Sequence, residues 1–558
     1  MLRLANIYQV LFLCMLFNMV GCSDSTSGEF GSFTTSTPDT EQNSLTVKSI
    51  LIQNNSSENA HILYFNLESE ANHSQYELSF SFTSGDQFPD SCFIGHNASV
   101  ILASDGNCFL YIKSDAGVDV GEYSLAELVL SDGDGNRVNY QLTAQNVLYV
   151  GGSFTYLNQG TDINLANWDG SEWQQLGDFG TDSSESCNGT GNDLGLIYSL
   201  VLNDTTGNLF AAGCMTEVDN TLVNYIAQWN GEAWRSLKSE LPYEVRSLVW
   251  DPNNEALFVA GGSNALVNEA SINNAAETKE AVAESSTEDS AFGYLYQWQH
   301  AVWVNIGSLS NSPINAQVTS LALDENNHNL YFGGKFTGYI HERQANRIAM
   351  WSIDDQAWSV LGTGVDDTVN GLFFNAYTDT LFVGGFFYPG IITWDSTLAT
   401  WVEVGVACRV GSPPCDGDSD SSDNANVVGY LAMDEYNMFI GGNFTSVADE
   451  SDLSTEIAAE GLAQFNTAGD SWSAIANSPP VESGFVKPLI YVENNNILYA
   501  AGSFTITENV DSPIYNIGKW DISSSEWQPL STTEAGLDGE IETMVMVSKQ
   551  ASPELVEE

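Results

Sequence analysis

The chain has 558 residues, of which 73 are acidic and 15 basic, giving a formal net charge of −58. No basic patch of useful size can be assembled from so few cations, which excludes nucleic acid as a partner. The acidity favours a well-solvated surface and attracts divalent cations or cationic partners.

The chain opens MLRLANIYQVLFLCMLFNMVGCSDS, with Arg3 ahead of an apolar run that ends Met-Val-Gly-Cys. This pattern reads as a secretory signal over residues 1–21. The end is similar to a bacterial lipobox, which implies lipid on Cys22, membrane attachment through that lipid alone, and location at the bacterial outer membrane or cell surface. Residues 22–44 are polar and rich in Ser and Thr, as a tether would be.

Residues 45–147 alternate apolar and polar in runs such as ILYFNLE, YELSFSF and CFLYIK, a strand signature that predicts a small β-sandwich. The stretch from Ser91 to Ser131 resembles bacterial surface immunoglobulin-like domains, which implies a stalk.

Thirteen of the fourteen tryptophans then fall into one phrase written seven times. LYVGGSF with NLANWDGSEWQQLG is the first copy, and LYAAGSF with NIGKWDISSSEW is the last. Only Trp250 lies outside the phrase, and Phe465 replaces one expected Trp. Each copy holds four short runs, A to D. In the third copy A is Val245 to Asp251, B is LFVAGG, C ends at a Trp and D begins near one. The repeat predicts four-stranded antiparallel sheets, and the whole an all-β fold. Gly152, Gly213, Gly261, Gly334, Gly385, Gly442 and Gly502 recur at the end of B, each preceded by Gly or Ala. They predict close approach of neighbouring sheets, with positive φ available as well. The tryptophans are expected to be packing residues rather than sugar platforms. The first copy lacks its own A run, and IETMVMV (Ile541 to Val547) is an A run left over at the other end. That register predicts a seven-bladed β-propeller over 148–547, closed by the C-terminal strand, with 548–558 as a tail. The order of runs resembles kelch-type propellers, and the wording GGxFT…AxWDGxxWxxLG resembles fungal cortical polarity-marker proteins. The resemblance implies a non-catalytic recognition scaffold.

Six cysteines remain beyond Cys14 and Cys22, and an even number in an exported chain predicts disulfides. Cys92 pairs with Cys108 and Cys408 with Cys415 by proximity. Cys187 is left for Cys214, and strand direction puts both on one face. The same face carries the long connections 178–196, 264–292 and 406–427, so it is the expected recognition face. There Tyr156, Tyr339, Arg343 and Tyr388 are the candidate binding residues. Asp416, Asp418 and Asp420 alternate in CDGDSDSSDN, a spacing able to hold Ca²⁺, although Val427 stands where an EF-hand needs its final Glu. No cofactor is otherwise implied.

No catalytic residues are assigned. The six histidines are scattered, while two placed carboxylates would suffice for a glycosidase. The expected function is recognition or adhesion toward a protein or glycan by a monomer. A polysaccharide hydrolase or lyase and a docking subunit of an envelope complex are the alternatives.

Overall fold

The computed structural model describes strands between residues 33 and 145 by backbone. From 146 to 547 it describes side chains, except at 155–162, 181–194, 263–292, 409–436, 450–455, 476–483, 508–511, 531–536 and a few single turn positions. Cys22, Cys92, Cys187, Cys415, Asp416, Asp418 and Asp420 lie outside the described residues, as does the signal segment.

The protein is all-β, built from small antiparallel four-stranded sheets of the propeller-like kind. The first sheet joins Leu537–Leu555, Arg137–Tyr156, Asp162–Trp168 and Trp173–Gln175, in the order A to D, and is seven-stranded in all, because Arg137–Tyr156 also pairs with Gly121–Ser131, which leads on to Ala60–Glu68 and Ser99–Leu102. The second runs Ile197–Leu202, Leu209–Gly213, Ile226–Trp229 and Trp234–Ser236. The third has Val245–Asp251, Ala256–Gly262, Gly293–Gln299 and Val302–Asn305. The fourth has Val318–Asp324, Asn329–Gly334, Ile348–Ser352 and Ala357–Val360. The fifth begins at Val369–Asn375, the sixth at Ala432–Met433 and the seventh at Phe485–Val492, each with the same strand order.

The core lies between sheets rather than within one. Phe258 and Leu295 of the third sheet share a cluster with Phe332, Phe336, Trp351 and Trp358 of the fourth. The last sheet meets the first in the same way, through Tyr499 and Ile517 against Leu148, Phe154 and Ile541. The C-terminal strand supplies the A position of the first sheet, with Met546 opposite Leu148 and Ile541 opposite Gly152. It continues to Leu555, so the expected tail extends this strand, opposite Tyr140 at its end. Likewise, residue 147 is no break, because one strand spans Arg137–Tyr156. Within the expected tether, Phe33–Thr34 pairs with Val47–Asn54. That strand also pairs with Asn107–Lys113, the backbone position of Cys108.

The repeated phrase has a direct reading. Its two aromatics face each other across strands C and D, as in Trp351 opposite Trp358 with ring centroids 4.6 Å apart. Phe465 takes the same place opposite Trp472, at 4.9 Å. The Gly that closes the phrase makes room for a Trp of the following sheet. A Cβ on Gly177 would lie 2.6 Å from Trp234 Nε1, and one on Gly405 2.1 Å from Trp472 Nε1. Trp250 stacks on Phe210 of the preceding sheet at 5.9 Å. These are packing roles, as the regularity predicts.

The paired small residues after strand B divide their work differently from expectation. The first faces the neighbouring sheet: a Cβ on Gly333 would lie 2.4 Å from Val369 Cγ1. The second faces its own sheet. A Cβ on Gly213, Gly261, Gly334 or Gly385 would lie 2.0–2.2 Å from the carbonyl oxygen just before strand A. Crowding by backbone, rather than positive φ, is therefore what requires these glycines.

Candidate functional site: recognition face and axial cluster

The A–B and C–D turns lie on one face and are satisfied by their own side chains. Asp251 Oδ1 accepts from the Asn253 and Asn254 backbone N–H groups at 3.0 and 3.2 Å. Asp324 does the same for Asn326 and Asn327 at 3.1 and 2.9 Å. Asp169 and Asp521 close C–D turns in this manner. Such Asx turns hold a tight reversal with little chain. Asp251 and Asp324 are almost wholly buried, at 2% and 1% exposure, so these acids serve the turn. A cavity of about 290 Å³ sits on this face between the fourth and fifth sheets, lined by Asp324, Tyr331, Phe374, Asp379 and Trp394 among others. Asn327 Nδ2 donates to Asp324 Oδ2 at 2.9 Å and to Asp379 Oδ1 at 3.2 Å, tying its two carboxylates together.

The opposite face carries the D–A and B–C connections. Three of the B–C connections fold into hairpins that the sequence reading did not anticipate. Glu217–Val218 and Thr221–Leu222 form one, and it pairs with Phe179–Gly180 leaving the first sheet. Ser446–Asp449 and Asp452–Ala458 form another, which adds to the end of Thr400–Cys408. The third, Tyr339–Ile340 with Arg343–Gln344, forms a two-stranded sheet of its own. Tyr339 is 57% exposed and Arg343 is exposed beside it. Tyr388 is half-buried and precedes Pro389 through a cis peptide bond. Tyr156 ends strand B of the first sheet, opposite Leu537. The four candidate residues are thus spread over three sheets. Cys214 and Cys408 are each disulfide-bonded. Cys214 follows strand B of the second sheet, and Cys408 ends strand D of the fifth.

Strands A of successive sheets pack on one another along the axis. In five sheets the register shifts near the strand's start, between Ile197 and Ser199, Val245 and Ser247, Val318 and Ser320, Val369 and Gly371, and Ile541 and Thr543. Such a bulge re-aims the strand locally. The hydroxyl after it binds the next sheet. Thr543 accepts from Leu200 N at 3.2 Å, Ser199 from Leu248 N at 3.1 Å, Ser247 from Leu321 N at 3.1 Å, and Ser320 from Leu372 N at 3.0 Å.

The bulged residue itself differs among these sheets: Tyr198, Arg246, Thr319, Asn370 and Glu542, with Lys487 inside the corresponding shift of the seventh. The Arg246 guanidinium lies 3.8 Å from the Tyr198 ring centroid and forms an ion pair with Glu244. Lys487 forms an ion pair with Glu542 across the seam between the last sheet and the first. Its side chain is 22% exposed. Burial pushes the Lys487 ammonium down to about 8, with Glu540 acting upward and the positive charge of Arg246 downward. Lys335, just past strand B of the fourth sheet, is exposed as a residue. Its ammonium is nonetheless lowered, first by desolvation and then by Arg246, against Asp367 and Glu244. Sequence reasoning missed this cluster. The available signal was the variable residue in [IV]-x-[ST]-[LM], which opens four of the A runs (from Ile197, Val245, Val318 and Ile541) and in which Arg246 stands.

Among the described residues no three His, Cys, Asp or Glu side chains come together as a metal site, and no helix is long and apolar enough to cross a membrane.

No family model and no curated protein matches the chain. Solved structures to which it is similar include U3-55K, at 12% identity over 58% of this chain and 77% of that one, with a TM-score of 0.33. A mitotic checkpoint complex structure matches at 13% identity over 59% and 76%, TM-score 0.34. A nidogen/laminin complex structure matches at 9% over 59% and 91%, TM-score 0.32.

Proposed function

We propose that this is an exported, lipid-anchored recognition protein, in which a seven-bladed propeller stands on an immunoglobulin-like stalk and binds a protein or glycan through its loop face. The C-terminal strand pairs with the strand that begins the first sheet, and the apolar clusters pass from sheet to sheet and across the seam; both support a closed ring. Cys22 carries the lipid, Cys187–Cys214 and Cys408–Cys415 brace the loop face, Cys92–Cys108 braces the stalk, and Asp416, Asp418 and Asp420 hold calcium. The kelch-like wording of the repeats points to the same use of the fold.

The observation that carries the recognition reading is the contrast between faces. One consists of short turns whose hydrogen bonds are spent internally, and the other presents a self-paired hairpin with exposed Tyr339 and Arg343. Aromatic and Arg side chains on a rigid hairpin are effective anchors in interfaces. The test is a glycan array and a labelled surface-protein panel probed with the full chain and with Tyr339→Ala/Arg343→Ala. Loss of the hits at an unchanged melting temperature is expected. Hits that persist in this variant, or vanish only when short-turn residues such as Asn253 are replaced, would overturn the assignment of the face.

A further inference from the structure

The cavity between the fourth and fifth sheets lies away from the recognition face, among the short A–B and C–D turns. Its volume of about 290 Å³ is close to the lower end of the ~300–1,000 Å³ usual for small-molecule sites. Two carboxylates line it, Asp324 and Asp379, and none of its described lining residues is basic. His328, in the same turn as Asp324, is engaged elsewhere, with Nδ1 3.0 Å from Asp354 Oδ1. Asn327 Nδ2 donates to both lining carboxylates, at 2.9 and 3.2 Å, so both of its amide hydrogens are spent. A second observation is independent of the acids. Tyr331 lines the cavity and is 5% exposed, yet its hydroxyl has no hydrogen-bond partner among the described residues. A buried hydroxyl without a partner is rare and costs stability. Packing does not require it, because the equivalent position opposite strand A holds Phe258 in the third sheet and Phe382 in the fifth. Burial first, and then the charges of Asp324 and Asp379, push the phenol up, so it is neutral at pH 7.

We propose that this cavity binds a small primary ammonium ion, its N–H groups directed at Asp379 and the Tyr331 oxygen and its carbon chain against Phe374 and Trp394. The inference is independent of the recognition-face reading, since the cavity lies on the other face. An ammonium suits the site for three reasons. The lining holds two negative charges and no positive one, and a partly enclosed site screens charge less than open solvent does. The oxygens left over are acceptors: a carboxylate only accepts, the phenol oxygen can accept, and the Asn327 donors are consumed. Three ammonium N–H groups meet such a lining, whereas a sugar hydroxyl also seeks donors and a quaternary ammonium has no N–H to give. The aromatic carbon of Phe374 and Trp394 suits the rest of an organic cation. A bare metal ion is served less well, because among the described residues no third His, Cys, Asp or Glu joins the pair. Asp324 already accepts from Asn326 N, Asn327 N and Asn327 Nδ2, so it supplies fixed charge and holds Asn327 in place.

The full chain is titrated calorimetrically at pH 7 with butylammonium chloride, tetramethylammonium chloride and methyl β-glucoside, in about 0.15 M salt to screen its surface charge. Saturable one-to-one binding of butylammonium is expected, with no saturable response to the other two. Asp379→Asn keeps a side-chain oxygen for Asn327 and suits the left-handed backbone at this position, where φ is 53°, so it should fold as the wild type does. It should weaken butylammonium binding at least tenfold, as loss of a charge-assisted contact does. Tyr331→Phe installs the residue that the neighbouring sheets carry, should melt no lower than the wild type, and should bind about tenfold more weakly. Diffuse attraction to a chain of net charge −58 would be indifferent to either change. No saturable butylammonium binding, equal affinity for tetramethylammonium, saturable binding of the glucoside in its place, or wild-type affinity in either variant would each overturn the proposal.

Discussion

Strands C and D keep one facing aromatic pair in every sheet, whereas the bulged position of strand A changes in size and charge from sheet to sheet. The outer positions are Trp opposite Trp, or Phe465 opposite Trp472, followed by a Leu-Gly or similar step that receives the next Trp. At the bulge of strand A stand Tyr198, Arg246, Thr319, Asn370, Lys487 and Glu542. The difference teaches where packing leaves freedom. An outer pair must fit a neighbour of identical shape, so volume and register fix its identity. The bulged residue is relieved of the ladder, and the hydroxyl beside it makes the contact between sheets. Its side chain can therefore vary in charge without disturbing the repeat.

The largest expected effect comes from breaking the one place where the repeat is not sequential. Removing residues 537–558 takes away strand A of the first sheet, together with Thr543 and Glu542, which bind the second and seventh sheets. It leaves an unpaired strand edge and opens the cluster of Leu148, Phe154 and Ile541. The truncated chain should lose its cooperative melting transition or aggregate on expression. A melting curve superimposable on that of the full chain would show that the seam carries no stability.

A single outer pair should matter less, but still by several kcal/mol. Trp351 is 4% exposed and packs on Trp358 within the cluster shared by the third and fourth sheets. Trp351→Ala should cost about 3–5 kcal/mol, the usual range for deleting a large buried aromatic. Chemical denaturation measures this directly. A loss below about 1 kcal/mol would mean that the pair is surface decoration and would reopen a ligand-stacking role for the tryptophans.

What the sequence conveyed follows the same division. The period placed the tryptophans, and the third A run was read as Val245 to Asp251, the bounds of the observed strand. The left-over IETMVMV lies in the strand that completes the first sheet. Both rest on local alternation and counting, which survive without coordinates. The recurring Gly was explained by close approach of neighbouring sheets and by freedom for positive φ, because the crowding carbonyl before strand A comes close only in the folded sheet. The hairpins at Glu217–Leu222 and Ser446–Ala458 were not anticipated, since short strands in irregular loops lack a periodic signal. Arg246 and Lys487 lie 241 positions apart, and nothing local joins them. Tyr156, Tyr339, Arg343 and Tyr388 were grouped by loop class alone, and the structure places Tyr339 and Arg343 on one exposed hairpin and the other two on different sheets.

The smallest effect concerns the inner strands and is read from its sign. Lys487 titrates at about 8 in the fold, against an ordinary lysine value of 10.5 in the unfolded chain. Below pH 8 both states hold the proton, and the fold carries the net cost of a partly desolvated ammonium. Between about 8 and 10.5 the unfolded chain binds more protons than the native one, so stability rises with pH through this window. The gain from this one group is on the order of 1–3 kcal/mol. Tyrosines also titrate near its upper end, so the comparison must be differential. Lys487→Met/Glu542→Gln removes both charges of the seam pair and avoids leaving Glu542 buried alone. Urea unfolding at pH 7.5, 8.5 and 9.5 should show the wild type gaining on this variant as pH rises. Parallel curves would mean that Lys487 is effectively solvated, and that Glu542 rather than burial governs its charge. The inner strands would then differ from the outer ones in identity alone, with no electrostatic strain stored at the axis.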